Sequence, residues 1–249
     1  EISVHGARLE PQHLVDLSSA LRKMGTCQLL KLQYLDWQEG RGLNENNTAQ
    51  YQEALTALMN EATGLEYVSL KGNNFTDDFL APVISSLSQS FRVSTLNLAN
   101  NKLTDQSLKL LLKAIRCTTN MRKVSFEANL ITGESLSVLG ELFLGSEFSA
   151  EDDATSKANG KLIAEKNKAI KATNAKRKKA GLVELKEVTP SLECSAKKEK
   201  TLIHSNRTLK LLDLSHNADL QIEPVNALVN ALTDTPAMAN LPAAATQAN

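Results

Sequence analysis

Cysteine is scarce in this chain. The three that occur, Cys27, Cys117 and Cys194, are odd in number and far apart, so they define no disulfide framework. Aromatic residues make up 4% of the composition, with a single tryptophan, and none lies between Ala150 and Arg207. Base stacking is therefore unavailable in that stretch, which speaks against nucleic acid as a partner. His5, His13, His204 and His216 have no paired metal spacing. Gly140 and Gly145 stand alone, without a glycine-rich phosphate loop. No apolar run approaches membrane-spanning length, and no apolar stretch of signal-peptide type opens the chain. The first residue is Glu1 rather than Met, as in a fragment or a trimmed chain. Formal net charge is zero, so bulk charge nominates neither nucleic acid nor membrane. No catalytic set assembles, and the expectation is a non-enzymatic chain without cofactor, metal or small-molecule ligand.

What the chain does contain is a repeat. Leu65-x-x-Val68-x-Leu70-x-x-Asn73-x-Phe75 returns as Val93-x-x-Leu96-x-Leu98-x-x-Asn101-x-Leu103 and as Met121-x-x-Val124-x-Phe126-x-x-Asn129-x-Ile131, with 28 residues between successive starts. A fixed period in this range marks a solenoid. Apolar residues two apart, such as Val68 and Leu70, face one side of a short strand. The asparagine falls where the chain turns, and its amide can both donate to and accept from backbone groups. Asn73, Asn101, Asn129 and a later Asn217 are thus expected to form a structural ladder. Thr76, Thr104 and Thr132 recur as helix N-caps before apolar residues at helical spacing. Pro82 fits only if its helix starts near Asp78, which places the proline in the first turn.

These residues resemble the leucine-rich repeat, and the 28-residue length is similar to the ribonuclease-inhibitor-like subfamily, over about three quarters of the chain. The resemblance implies an α/β solenoid: a curved arc with parallel strands on the concave face and helices on the convex face. Extracellular members usually carry clustered cysteines in their caps, which this chain lacks, so a reducing, intracellular and cytoplasmic location is expected. Residues 1–144 read as repeats one to five. The first enters at Ile2 and Val4. The second reads Leu29-x-x-Leu32-x-Tyr34-x-x-Trp37, with Trp37 in the asparagine place and about eight extra residues at Gly40–Asn47. Leu209-x-x-Leu212-x-Leu214-x-x-Asn217 begins 88 residues after Met121; less one period, 60 residues are inserted. Residues 145–204 are that insertion, 205–236 the sixth repeat with a small bulge at Asp219-Leu220, and 237–249 an Ala-rich tail. The sequons at Asn74 and Asn206 fall in repeat turns or lead-ins, which explains them structurally; a third lies at Asn46.

The insertion opens acidic, at Glu147, Glu151, Asp152 and Asp153, then carries nine basic residues against one acid between Lys157 and Lys179. Lys161–Ala180 reads as a basic helix ended by Gly181. Leu182, Val183, Leu185 and Val188 look able to dock. One reading is a solvated loop; a second is a charged arm, with Lys171, Lys176, Arg177, Lys178 and Lys179 gripping an acidic protein surface. The run Lys176–Lys179 also matches a nuclear-import pattern.

Outward strand positions are expected to line the concave surface: Tyr67, Ser69 and Lys71; Thr95, Asn97 and Ala99; Lys123, Ser125 and Glu127; Leu211, Asp213 and Ser215. The expected function is a protein–protein interaction scaffold. Repeats of this kind with lysine-rich insertions are similar to components of the ciliary axoneme and other cytoskeletal assemblies, which implies acidic tubulin tails as a target. Two alternatives stand beside it. One is a regulator of a small GTPase, resembling the GTPase-activating protein of this repeat length, although that protein has more repeats and an acidic tail. The other is the sensor part of a larger signalling protein.

Overall fold

A computed structural model describes residues 1–25, 27–36, 48–62, 64–87, 92–115, 120–136, 146–147, 150–185, 187, 202–203, 208–221, 223–224 and 226. Strand and helix alternate: β1 (Ile2–His5), α1 (Pro11–Met24), β2 (Leu29–Gln33), α2 (Thr48–Glu61), β3 (Tyr67–Ser69), α3 (Asp77–Leu87), β4 (Thr95–Asn97), α4 (Asp105–Ile115) and β5 (Lys123–Ser125). The insertion contributes β6 (Ser146–Glu147), α5 (Ala150–Lys179) and β7 (Leu202–Ile203), and β8 (Leu211–Asp213) follows. Six strands form one parallel sheet in the order β1-β2-β3-β4-β5-β8. Ile2, Leu30, Val68, Leu96, Val124 and Leu212 stand side by side in a single row. Strands sit about 4.8 Å apart and packed helices about 8–10 Å apart. A row of strands backed by a row of helices must therefore curve, strands inward. The fold is an α/β leucine-rich-repeat arc, and its core lies between the two rows, where Leu30, Val68, Leu70, Leu80, Ile84, Leu98, Leu108 and Phe126 are fully buried.

The asparagines join each turn to the next. Asn101 Oδ1 accepts from the backbone N–H groups of Asn73 at 3.0 Å and Phe75 at 3.1 Å, while its Nδ2 donates to the carbonyls of Leu70 and Leu98. Asn129 repeats the pattern with Leu103, Leu98 and Phe126. Asn217 does so with Asn129, Ile131, Phe126 and Leu214, across the whole insertion. Asn73 receives the N–H of Leu35 and donates to Leu32 and Leu70. Just before each asparagine the chain is left-handed, at Gly72, Asn100, Ala128 and His216, and it is left-handed also at Gly6 and Tyr34 in the first two repeats. Gly72 also leaves room for the Tyr34 ring, which an added Cβ would meet at 2.3 Å.

The second repeat sits two residues away from its expected register. Leu30, not Leu32, pairs with Val68, so Cys27, Leu30, Leu32 and Leu35 occupy the places of Leu65, Val68, Leu70 and Asn73. Leu35, and not Trp37, therefore stands at the ladder position. The spacing from Ile2 to Leu30 is again 28, and the extra length before Val68 is ten residues rather than eight. A slip of two preserves the inside–outside alternation of a strand, so periodicity alone does not separate the two registers. Tyr34, placed inward by the sequence pattern, is 40% exposed. Trp37 and Gly40–Asn47 lie outside the described residues, as do most of the helices expected after Leu136 and at Val225–Leu232. In the sixth repeat Leu220 packs on the core, one residue later than in the other copies.

Aspartates make a second ladder, one that the repeat pattern alone does not reveal. Asp77 accepts from the N–H and hydroxyl of Thr104 at 3.0 and 2.7 Å and from the N–H of Ser107 at 3.2 Å. One period later Asp105 accepts from the N–H and hydroxyl of Thr132, both at 2.8 Å, and from the N–H and hydroxyl of Ser135. The series stops where Gly133 replaces the aspartate. Thr104 meanwhile caps α4, its Oγ1 accepting from the N–H of Gln106. Burial pushes the Asp105 pKa up, but the bonds from Ser135 and Thr132 outweigh it and hold the carboxyl below its ordinary value.

Helix α3 begins at Asp77, so Pro82 lies in its second turn and not in its first. A proline there cannot donate to the carbonyl four residues back, that of Asp78. Gln52 of α2 supplies the missing donor: its Nε2 reaches Asp78 O at 2.7 Å and Phe79 O at 3.1 Å. The basic helix likewise starts eleven residues before Lys161, at Ala150. Gly160 costs about 1 kcal/mol in a helix interior, and the order acidic then basic along the segment suits the helix dipole. Its end is as expected: Gly181 is left-handed, Leu182 N–H bonds Arg177 O, and Gly181 N–H bonds Lys178 O, the Schellman pattern.

Gln52→Ala should lower unfolding free energy by about 0.5–1.5 kcal/mol in urea titrations. In a Pro82→Ala background the same change should do less, because the new N–H serves Asp78 O. Asp105→Ala should cost about 2–3 kcal/mol near pH 7. Because the folded pKa is depressed, that stabilisation is present above the ordinary carboxylate pKa and is lost as pH falls through the folded value. The gap between wild type and variant should therefore be constant from about pH 7 to 5 and narrow toward pH 3.

Candidate interaction surface

The outward face of the sheet begins as a row in register: Ser3, Lys31, Ser69, Asn97, Ser125 and Asp213. Most of its polar groups are occupied within the chain. Ser69 is fully buried and its Oγ accepts from Gln33 Nε2. A short side chain between Lys31 and Asn97, covered by Gln33, offers nothing to a partner, so Ser69 leaves the expected contact set. Asn97 Oδ1 accepts the N–H of Ala99 at 2.9 Å, and Ala99 is itself buried. Ser125 donates to Asp213 at 3.3 Å and accepts from the N–H of Glu127. The hydroxyl of Ser215 holds the Asp213 pKa below its ordinary value, against burial, with help from the Ser215 N–H, Ser125 and His216. Lys71 lies 3.9 Å from Glu127. Tyr67 and Thr95 are half-buried, whereas Lys123 and Leu211 are exposed.

The basic helix is fastened to the body by its end. After Gly181 the chain doubles back, and Asn174 exchanges hydrogen bonds with the backbone of Leu185 at 2.7 and 2.8 Å. Leu185 sits over Gly25, the left-handed residue that ends α1; a Cβ there would meet Leu185 Cδ2 at 2.2 Å. The Leu185 segment expected to dock does so at this point, while Leu182 and Val183 remain exposed. Arg177 donates from Nε to Val183 O at 2.8 Å and from Nη1 to Lys23 O at 3.3 Å. The second bond serves one of the last carbonyls of α1, where a cation suits the helix dipole. Arg177 is thus engaged within the chain and departs from the expected partner set. Ile163 and Ile170 are buried on one face, with Lys166 between them, where burial lowers its pKa. Lys171, Lys176, Lys178 and Lys179 are exposed, and Lys171 lies 3.5 Å from Glu187, an exposed pair of small worth.

On the helix side, Thr104, Asp105, Lys109, Leu110, Lys113, Leu130, Thr132 and Glu134 line an open groove of about 830 Å³. Its one buried carboxylate, Asp105, is committed to the ladder already described, so it is not poised for proton transfer. Among the described residues no group of three His, Cys, Asp or Glu side chains is placed to hold a metal ion, and no helix is long and apolar enough to cross a membrane. Cys27 is buried, with its Sγ 3.4 Å from Leu29 O; Cys117 lies outside the described residues.

No protein-family model matches the chain, and no curated protein matches it. Among solved structures it is similar to leiomodin-1 actin-binding site 2, at 12% identity over 88% of this chain and 86% of that one, with a TM-score of 0.43. A likeness that loose carries no argument about function, and the fold assignment stands on the strand register itself.

Proposed function

We propose that the chain is a non-catalytic protein–protein interaction scaffold of the ribonuclease-inhibitor-like repeat type, which engages an acidic protein surface through its basic helix. The supporting observation is the way α5 is held. Arg177 and Leu185 tie its C-terminal end to α1, while Lys157, Lys161, Lys168, Lys171, Lys176, Lys178 and Lys179 are left exposed. Arg177 apart, the interior side of the helix carries Ile163, Lys166 and Ile170, so its cationic side is the one a partner meets. Attraction of this kind acts over about 8–10 Å at physiological salt, and it therefore selects a partner with dense negative charge at close range. The acidic tails of tubulin, in a cytoplasmic, cytoskeletal or axonemal assembly, fit that description and are the first target to test.

Microtubule co-sedimentation tests the proposal with Lys168, Lys176, Lys178 and Lys179 changed to glutamine, which leaves Arg177 and Leu185 in place. At about 0.5 kcal/mol for each exposed pair, affinity should fall by roughly thirtyfold, and wild-type pelleting should weaken with added salt. Equal pelleting of both proteins would remove the basic helix from the mechanism. Acceleration of single-turnover GTP hydrolysis by a small GTPase would overturn the non-catalytic assignment.

A further inference from the structure

The strand-entry rim of the sheet carries a row of its own. Backbone bonds of 2.8 Å run from Glu66 N–H to Gln28 O, Ser94 N–H to Glu66 O, Arg122 N–H to Ser94 O and Lys210 N–H to Arg122 O. Along this row the residues are neutral, acidic, neutral, basic and basic. The adjacent register row ends in Lys123 beside Leu211. Elsewhere on this face cations are matched: Lys31 with Glu1 at 3.1 Å, Arg92 with Glu66 at 3.2 Å, and Lys71 with Glu127. Arg122, Lys123 and Lys210 are all exposed, and none forms an ion pair among the described residues. Leu211, in their midst, is 50% exposed.

Three cations with no ion pair among the described residues, around one exposed leucine, make a patch with two kinds of contact to offer. The charges attract and orient an acidic chain. The leucine rewards an apolar side chain that comes to rest on it, and it discriminates against polyanions that lack one. The four residues belong to two neighbouring strands locked by the bonds to Arg122 O, at 2.8 and 3.1 Å. Their spacing is thus fixed before a partner arrives, which lowers the entropy cost of binding.

We propose that Arg122, Lys123, Lys210 and Leu211 form a docking site for an extended acidic segment of a partner protein, with one apolar side chain of that segment seated on Leu211. The inference rests on the interaction-scaffold reading but uses a surface separate from the basic helix.

The test is fluorescence anisotropy of the full chain with a Glu-rich peptide of about ten residues carrying one central Phe, alongside the same peptide with Ser for Phe. Arg122→Glu with Lys210→Glu should weaken binding by about tenfold or more. Leu211→Ser should weaken it by roughly three- to tenfold for the Phe peptide and leave the Ser peptide unchanged. Lys102→Gln with Lys113→Gln, at exposed positions outside both the rim and the basic helix, should stay within about twofold of wild type. All these substitutions are at exposed positions, and thermal melts matching wild type verify the fold. No binding by wild type, unchanged binding by the rim variant, or an equal loss in the Lys102/Lys113 variant overturns the site. An equal Leu211→Ser loss for both peptides overturns the apolar seat. Failure here leaves the microtubule result untouched, since that assay reads the helix lysines; equal pelleting of wild type and the helix-lysine variant is the separate failure of the basic-helix reading.

Discussion

Each turn of the coil buries backbone amides that neither the strand before it nor the helix after it can satisfy. A buried unpaired N–H or C=O costs about 1–3 kcal/mol, and a stack of such turns would not hold without a remedy. Asn73, Asn101, Asn129 and Asn217 provide it. One amide accepts from the preceding repeat and donates both to its own turn and to that neighbour. Since the donor and acceptor belong to one planar group, neighbouring repeats must arrive in one register and at one separation. The parallel pairing of the core row and the alternation of every outward side chain follow from that. Asn217 makes the same bonds across the insertion as its predecessors make across a single loop, so the excursion changes the length of the chain and not the geometry of the coil.

The other features answer smaller versions of the same problem. Asp77 and Asp105 do on the helix side what the asparagines do at the strand end, and the ladder ends at Gly133. Gln52 supplies the donor that Pro82 removes. Arg177 serves a carbonyl at the end of α1 and in doing so ties the insertion down. In each case a polar side chain from one segment completes the backbone of another. The outer face is largely self-satisfied for the same reason, and among the described residues Arg122, Lys123 and Lys210 stand exposed without an ion pair at the rim of the last two strands.

Much of this was legible in the residues. The 28-residue spacing from Leu65 to Val93 and again to Met121 marks strand, turn and helix for three repeats, and the ladder asparagines stand out in the same pattern. Repeat two was misplaced by two residues because alternation survives such a slip; Cys27 in an apolar place, and the 28 residues from Ile2 to Leu30, were the signals that would have corrected it. The aspartate ladder left a trace in the Thr-Asp pairs at 76–77 and 104–105 with Ser107 and Ser135, but only the fold shows that one repeat's aspartate reaches the next repeat's threonine. Ser69 and Arg177 could not be sorted from their neighbours by pattern, because burial of Ser69 depends on Gln33 and the use of Arg177 depends on Lys23, 154 residues away. The partner surfaces share that difficulty: charge is visible in a sequence, whereas its neutralisation is a matter of contacts.

Native-state hydrogen exchange at the six backbone amides that donate to ladder oxygens, those of Leu35, Asn73, Phe75, Leu103, Asn129 and Ile131, addresses this constraint most directly. If the asparagines hold the coil together, these amides should exchange as one group, with the free energy of global unfolding. Independent exchange at the rates of exposed loops, with the strands still protected, would show that the repeats are stacked by apolar burial alone and that the ladder is incidental.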